Sequence, residues 1–316
     1  MKQIQGPLYL THFGLSEAPF RLTPDVGCFY SGAERGELLH ALLYALVHGD
    51  GIIMVTGEVG TGKTTLSRKL MAAANARLAF IYISNPSIGR DELLIAMAEE
   101  LGLGALAGLP SGSLSQRVQR RLIELHARGR QIVLLVDEAH EMPEQTLQEV
   151  RLISNLETSV HKLLQIVLFG QPELDAVMMR PGLRPLRERI SNRIVLMPLT
   201  DAEIARYLNF RLMRAGARRT LFDEEALSLI CIYSKGLARR INILAEKCLL
   251  AAYVDCSPQV AARHVRQALP EVAFQFGLAA EELPTASDDG PEVPAPAPVA
   301  ASRGLWRRLR ERALGA

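Results

Sequence analysis

Short apolar runs alternate with longer segments in which apolar residues recur every third or fourth position, and this alternation dominates residues 52 to 270. Ile52-Ile53-Met54-Val55, Ala79-Phe80-Ile81-Tyr82-Ile83, Ile132-Val133-Leu134-Leu135-Val136, Leu164-Gln165-Ile166-Val167-Leu168-Phe169 and Ile194-Val195-Leu196 read as buried strands. A strand covered on both faces shows such a near-continuous apolar run. Strands separated by segments of helical period predict a parallel α/β fold with helices covering the sheet. Ahead of it Glu37 to Val47 carries a helical pattern, preceded by an arm punctuated by Phe13-Gly14-Leu15, Pro19-Phe20 and Pro24-Asp25 that is too apolar for a free tail.

After Pro198 the strand signal stops. The remainder reads as helices: one capped by Thr200 or Asp201, one begun by Asp223, one containing Arg239 to Tyr253, and one begun by Ser257-Pro258. The predicted divisions are an N-terminal arm and helix at 1–50, an α/β domain at 51–199, a small all-α domain at 200–271, a linker at 272–302 and a basic segment at 303–316. The linker is rich in Ala and Pro, carries five acidic residues and no base, and cannot bury a core; it is expected to be disordered.

Composition narrows the function classes. Lys plus Arg number 36 against 34 Asp plus Glu, so no overall field draws the chain onto nucleic acid, which is not an expected partner. The last sixteen residues hold five arginines and one glutamate. That segment, from Leu305-Trp306 to Leu314, is either a short amphipathic helix lying on an anionic membrane surface or a partner, or a solvated charged tail. Cys28, Cys231, Cys248 and Cys256 show no C-x-x-C pair and no zinc spacing, and they read as reduced thiols. Without a leader pattern or a span of about 20 apolar residues, the expected location is the cytoplasm, with peripheral contact to the inner membrane through the basic tail.

One motif carries the chemistry. Gly57-Glu58-Val59-Gly60-Thr61-Gly62-Lys63-Thr64 fits G-x-x-x-x-G-K-[ST] at every fixed position. It follows a predicted strand and leads into an amphipathic segment, Thr65 to Ala74, which is the strand-loop-helix setting that wraps a triphosphate. Main-chain N–H groups and the helix N-terminus would hold the phosphates, Lys63 would reach the β and γ phosphates, and Thr64 would ligate Mg²⁺. Asp137-Glu138, ending the run from Ile132 to Val136, supplies the second half. Asp137 is expected to hold the metal through water, and Glu138 to orient and partly deprotonate the water attacking the γ phosphate. His140 and Glu141 read as the surface of a first helical turn. Gln171, after the strand ending at Phe169-Gly170, stands either where an amide reads the γ phosphate or as a loop residue before Pro172.

The run from Tyr9 to Thr65, together with Asp137-Glu138-Ala139, Asn155-Leu156-Glu157-Thr158, Lys162 to Leu174 and Arg240-Ile241-Asn242-Ile243-Leu244-Ala245, resembles the secretion and pilus-biogenesis AAA+ ATPases of the ExeA/GspA type over about residues 8 to 270. That resemblance implies an AAA+ core with a helical lid, binding and hydrolysing ATP with Mg²⁺ as a homo-oligomer whose subunits share nucleotide sites. Its implied partners are proteins of a pilus or secretion machine. It implies sensor 1 at Gln171, where many AAA+ proteins carry Asn or Thr, and sensor 2 at Arg239. It places the finger given to a neighbouring subunit at Arg189 or, failing that, Arg193, within a segment that also holds Arg184 and Arg187. The N-terminal arm is similar to the family's adenine-covering segment, with Phe20, Tyr30 or a nearby apolar residue either stacking on the base or packing the core. ExeA-type proteins continue into a membrane span and a peptidoglycan-binding domain, whereas linker and tail follow here, so direct action on the cell wall is not expected. Two other classes stay open. One is a nucleic-acid-associated AAA+ regulator using lid residues Arg211, Arg214, Arg218 and Arg219, and the other is a nucleotide-gated scaffold with little turnover.

Overall fold

The computed structural model describes residues 8–23, 25–32, 34–48, 51–75, 77–104, 111–157 and 162–283. The linker beyond 283 and the basic segment at 303–316 lie outside the described residues. The chain divides into two compact units: Asp25–Met197, and a second in which the residues up to Pro24 join those from Pro198 onward.

In the first unit five parallel strands form one sheet: β1 (Ile52–Thr56), β2 (Leu78–Ile83), β3 (Gln131–Val136), β4 (Leu164–Gly170) and β5 (Ile190–Val195), in the spatial order β2-β3-β4-β1-β5. Alternate side chains leave opposite faces, and the core splits accordingly. Ile53, Val55, Val133, Leu135, Val167 and Phe169 pack against Leu39, Leu42 and Leu46 of helix α1 (Arg35–His48) and Leu66 and Leu70 of helix α2 (Lys63–Met71). Met54, Ile81, Leu134 and Ile166 on the other face meet α3 (Arg90–Glu100), α4 (Ser111–Ala127) and α5 (Glu144–Ile153), through Leu93, Met97, Val118, Leu122, Leu147 and Val150. This three-layer arrangement explains the unbroken apolar runs of β1, β3 and β4.

β5 departs from the expectation. It runs over Ile190–Val195 rather than Ile194–Leu196, and as a sheet edge it leaves Ser191, Asn192, Arg193 and Val195 exposed. A polar edge strand resists pairing with other chains, and its alternation is too weak to read as buried.

The second unit consists of α7 (Asp201–Arg214), α8 (Glu224–Ser234), α9 (Ala238–Val254) and α10 (Ala262–Phe276), α6 (Glu173–Met178) having preceded β5. Thr200 and Glu203 close a capping box on α7, and the Asp223 carboxylate accepts the Ala226 N–H at 2.7 Å to start α8. The last helix begins at Ala262 rather than at Ser257-Pro258. Residues 257–260 instead bring Val260 beside Phe222, with the Val260 N–H donating to Leu221 at 2.7 Å, and buried His264 accepts the Ala261 N–H at 2.8 Å. It also runs to Phe276, past the start of the predicted linker at 272, because Val272 and Phe276 are buried.

The arm at 8–23 packs in this helical unit. The Tyr9 hydroxyl donates to both Glu246 carboxylate oxygens at 2.8 and 2.7 Å. The Ser16 hydroxyl donates to the Ala215 carbonyl, and buried Arg211 donates to the carbonyls of Pro19 and Arg21. Arg211, a basic-groove candidate by sequence, is thus occupied inside the unit. Among the described residues no helix is long and apolar enough to cross a membrane.

Candidate functional site

β1 ends at Thr56 between β4 and β5, and the chain turns there into the loop 57–62, which closes on the first turn of α2. Gly60 and Gly62 have φ of 88° and 103°, left-handed angles that strain any residue with a Cβ. Gly57 is needed for a different reason: a Cβ there would stand 2.7 Å from the Leu196 carbonyl oxygen. The Thr61 hydroxyl donates to the Glu58 carbonyl at 2.9 Å and braces the loop from within. Glu58 and Val59 are exposed at its tip, and Thr64 and Thr65 are half-buried in the first turn of α2. The unpaired N–H groups of that turn and the partial positive charge of the helix end form an anion-binding concavity.

The Lys63 ammonium, 5% exposed, donates to the carbonyls of Gly57 at 2.7 Å and Glu58 at 3.1 Å. Burial pulls its pKa below the usual lysine range, opposed by the carboxylates of Glu138, Asp137, Glu58 and Glu173. The lysine at the loop and the acidic pair after β3 therefore act on one another electrostatically. A desolvated cation held by carbonyl oxygens gains when an anionic oxygen comes within reach, which is what a phosphate supplies.

Strand order explains that meeting. The C-terminal ends of β3, β4 and β1 are neighbours, so Asp137, Gln171 and the loop after Thr56 emerge side by side at the sheet's carboxyl edge, where open α/β sheets bind ligands. Asp137 is 4% exposed; its Oδ2 accepts from the Tyr82 hydroxyl at 3.2 Å, and its Oδ1 accepts the Glu138 N–H at 3.1 Å. Burial, and after it the Asp137 charge, pushes the Tyr82 hydroxyl up to about 12. Glu138 adopts φ 51°, a left-handed angle that is costly away from glycine. The Gln171 amide donates to Glu138 Oε2 at 3.4 Å. His140 Nδ1 lies 3.5 Å from that same oxygen and accepts the Gln171 main-chain N–H at 3.4 Å. His140 thus faces the site, in a short 3-10 turn at Ala139–Glu141, instead of lying on a helix surface.

The oxygens of Thr64 and Asp137 suit a hard cation such as Mg²⁺, and the loop suits a polyphosphate. Both groups are matched by the residues present.

Other candidates lie elsewhere. Arg189 stands at the opposite edge of the sheet, where its carbonyl accepts the Ile52 N–H at 3.0 Å and its guanidinium donates to Ser154 Oγ at 3.2 Å. With Asn155, Glu157 and Lys162 it lines a cavity of about 400 Å³. The strand β1 separates it from the loop by roughly 16 Å, so within one subunit Arg189 does not serve its own site. Arg193 donates to both oxygens of Asp175, at 2.6 and 2.9 Å, and Asp175 Oδ2 also accepts from the Thr56 hydroxyl at 3.4 Å. That bidentate pair engages Arg193 on its own chain, where it braces the end of β1. Arg184 pairs with Glu188 at 2.8 Å. Arg239 is exposed at the start of α9 in the helical unit. Phe20 packs inside the helical unit, 2% exposed and edge-on to Phe222, so the packing alternative holds for it. Tyr30 belongs to the first unit and folds its ring over Gly32.

A parallel sheet in this order, with the glycine loop after β1 and an acidic pair after β3, followed by a helical bundle, is a P-loop fold of the AAA type. The comparisons agree. Residues 47–178 match an AAA domain family. The chain is 38% identical over 266 residues to General secretion pathway protein A of Aeromonas hydrophila, an alignment that covers 84% of this chain and 49% of that protein. The chain thus spans about half the length of the curated relative it matches. Among solved structures it is similar in fold to Aeropyrum pernix ORC2 in its ADPNP-ADP complexes (TM-score 0.57, 20% identity, 75% of this chain and 67% of that one). It is also similar to the Aeropyrum pernix ORC1 protein in complex with DNA (0.59, 20%, 79% and 68%) and to the Thermotoga maritima RuvB Holliday junction branch migration motor (0.51, 19%, 79% and 73%).

Proposed function

We propose that this chain is an ATPase of the ExeA/GspA kind, binding ATP with Mg²⁺ at the loop 57–64 and hydrolysing it with Glu138. The observation that carries the reading is the convergence of Lys63, Asp137, Glu138 and Gln171 at the adjacent carboxyl ends of β1, β3 and β4. Loop amides and Lys63 bind the phosphates, and Thr64 and Asp137 would hold the metal, which would supply positive charge at the phosphate oxygens. Glu138 takes the proton of the attacking water, with the Gln171 amide donating to the carboxylate and His140 Nδ1 accepting the Gln171 main-chain N–H. Arg189, at the sheet end away from its own loop, serves as finger to the next subunit of a homo-oligomer, and Arg239 acts as sensor 2.

The resemblance to secretion ATPases supports a role in assembling an envelope-spanning machine, either a type II secretion system or a type IV pilus. The run of motifs is most like that of MshM, the ATPase of the mannose-sensitive haemagglutinin pilus. Location in the cytoplasm at the inner-membrane face fits that role. Mass photometry with and without ATP, alongside calorimetric titration of the parent and Lys63→Ala, tests the reading. ATP binding and assembly are expected in the parent and neither in the variant; an identical affinity in both would remove the loop from the site.

A further inference from the structure

The first residue of α1, Arg35, is only 9% exposed, and its Nη2 donates to two main-chain carbonyls: Thr61 at 3.3 Å and Met197 at 3.2 Å. Thr61 belongs to the glycine loop. Met197 is the last residue before the chain passes into the helical unit. A peptide is planar and trans, so the C=O of Thr61 and the N–H of Gly62 lie in one plane and point in opposite directions. By holding that oxygen, the guanidinium aims the Gly62 N–H away from itself. Gly62 has φ 103° and stands at the start of α2.

The loop and the exit segment also touch directly. The Leu196 N–H donates to the Thr56 carbonyl at 2.7 Å, and the Leu196 carbonyl is the atom that leaves no room for a side chain at Gly57. A shift of the loop is therefore felt along residues 195–197, and Arg35 spans the same two segments from the other side.

We propose that Arg35 is a positioning residue that orients the phosphate-binding amide at Gly62 and couples the loop to the chain crossing at Met197-Pro198, so that nucleotide occupancy is passed to the exit segment. This rests on the nucleotide reading above. It gives Arg35, which carries no signature in the loop motif, a part in both affinity and signalling. A charge-assisted bond to a carbonyl contributes on the scale of tenfold in an equilibrium.

The test is hydrogen exchange of the full chain, with and without saturating ATP, read in peptides covering 57–64 and 194–199. In the parent, ATP is expected to slow both. In Arg35→Met, ATP is expected to bind about tenfold more weakly and, at saturation, to slow only 57–64. Retained protection of both segments with parental affinity overturns the proposal. So does a parent in which ATP protects the loop and leaves 194–199 unchanged, a result that stands even if the variant fails to fold. Absence of ATP binding by the parent removes the nucleotide reading itself, and this coupling with it. Arg35→Lys, which restores a cation near the carbonyls, is expected to recover part of the lost protection at 194–199; a merely structural arginine would give back stability and leave that protection unmoved.

Discussion

Replacing Gly57 by Ala tests how closely the loop is packed. The new methyl carbon would stand 2.7 Å from the Leu196 carbonyl oxygen, 3.0 Å from Thr61 Oγ1 and 3.2 Å from Leu196 Cβ, where ordinary contacts begin at 3.4 Å. The Thr61 hydroxyl can rotate aside at the cost of its bond to Glu58. The Leu196 carbonyl cannot, because its own residue is fixed to β1 through the 2.7 Å bond from its N–H to Thr56. The loop must therefore move by about half an ångström or more, and overpacking of this kind costs about 1–3 kcal/mol. At about 1.4 kcal/mol per tenfold, ATP affinity should fall by about 5- to 140-fold if the displacement is borne by the loop amides. Calorimetric titration reads the affinity, and a thermal melt shows whether the sheet survives. Gly62→Ala makes a useful contrast, since its methyl meets open space and its cost, about 1–2 kcal/mol, comes from the backbone angle alone. Parental affinity and melting temperature in Gly57→Ala would refute the packing argument.

Gln171→Leu removes the amide that steadies Glu138; kcat should fall about three- to tenfold, with ATP affinity nearly unchanged in the same kinetic series. A rise in KM alone would instead make Gln171 a ground-state ligand. In the helical unit, burial holds the Glu246 carboxyl above the usual range, and the Tyr9 hydroxyl partly offsets this. A carboxyl raised in the folded state costs stability as pH climbs through its unfolded value toward its folded one. Tyr9→Phe should therefore lose about 1–3 kcal/mol at neutral pH and less near pH 4, measured by urea unfolding across pH. His264 behaves in the opposite sense. Burial, then the neighbouring Arg263 charge, depress its pKa, so stability is complete above about pH 6.5 and falls as pH drops below it. His264→Gln, which keeps an acceptor for the Ala261 N–H, should flatten the decline of melting temperature between pH 7 and 5.

Much of the α/β unit is legible in the sequence, because its signals are local. The loop motif, the two carboxylates and the apolar runs of β1, β3 and β4 each depend on neighbours in sequence, as do the caps at Thr200 and Asp223. What escaped depends on contacts between distant segments. Tyr82 reaches Asp137 only because β2 pairs with β3, and Asp175 meets Thr56 only because β4 lies beside β1. Arg35 looks like an ordinary helix-start arginine until Thr61 and Met197 converge on it. His140 reads as surface in the sequence because the left-handed turn at Glu138, which swings the next residues back toward Gln171, leaves no trace in composition. The arm at 8–23 was legible as apolar. Its place beside Glu246 and Ala215 was not, because no local pattern encodes a partner more than 190 residues away. The polar character of β5 hides its start in the sequence, since an edge strand needs few apolar residues.

Steady-state ATP hydrolysis by the full chain and by Glu138→Gln, with ATP binding followed in parallel, bears most directly on the site as a whole. The arrangement of Glu138 beside Gln171, next to buried Asp137, predicts parental affinity in the variant and a turnover lower by at least about a hundredfold. Turnover by the variant at the parental rate would contradict the assignment of that carboxylate and, with it, the chemistry derived for the carboxyl edge of the sheet.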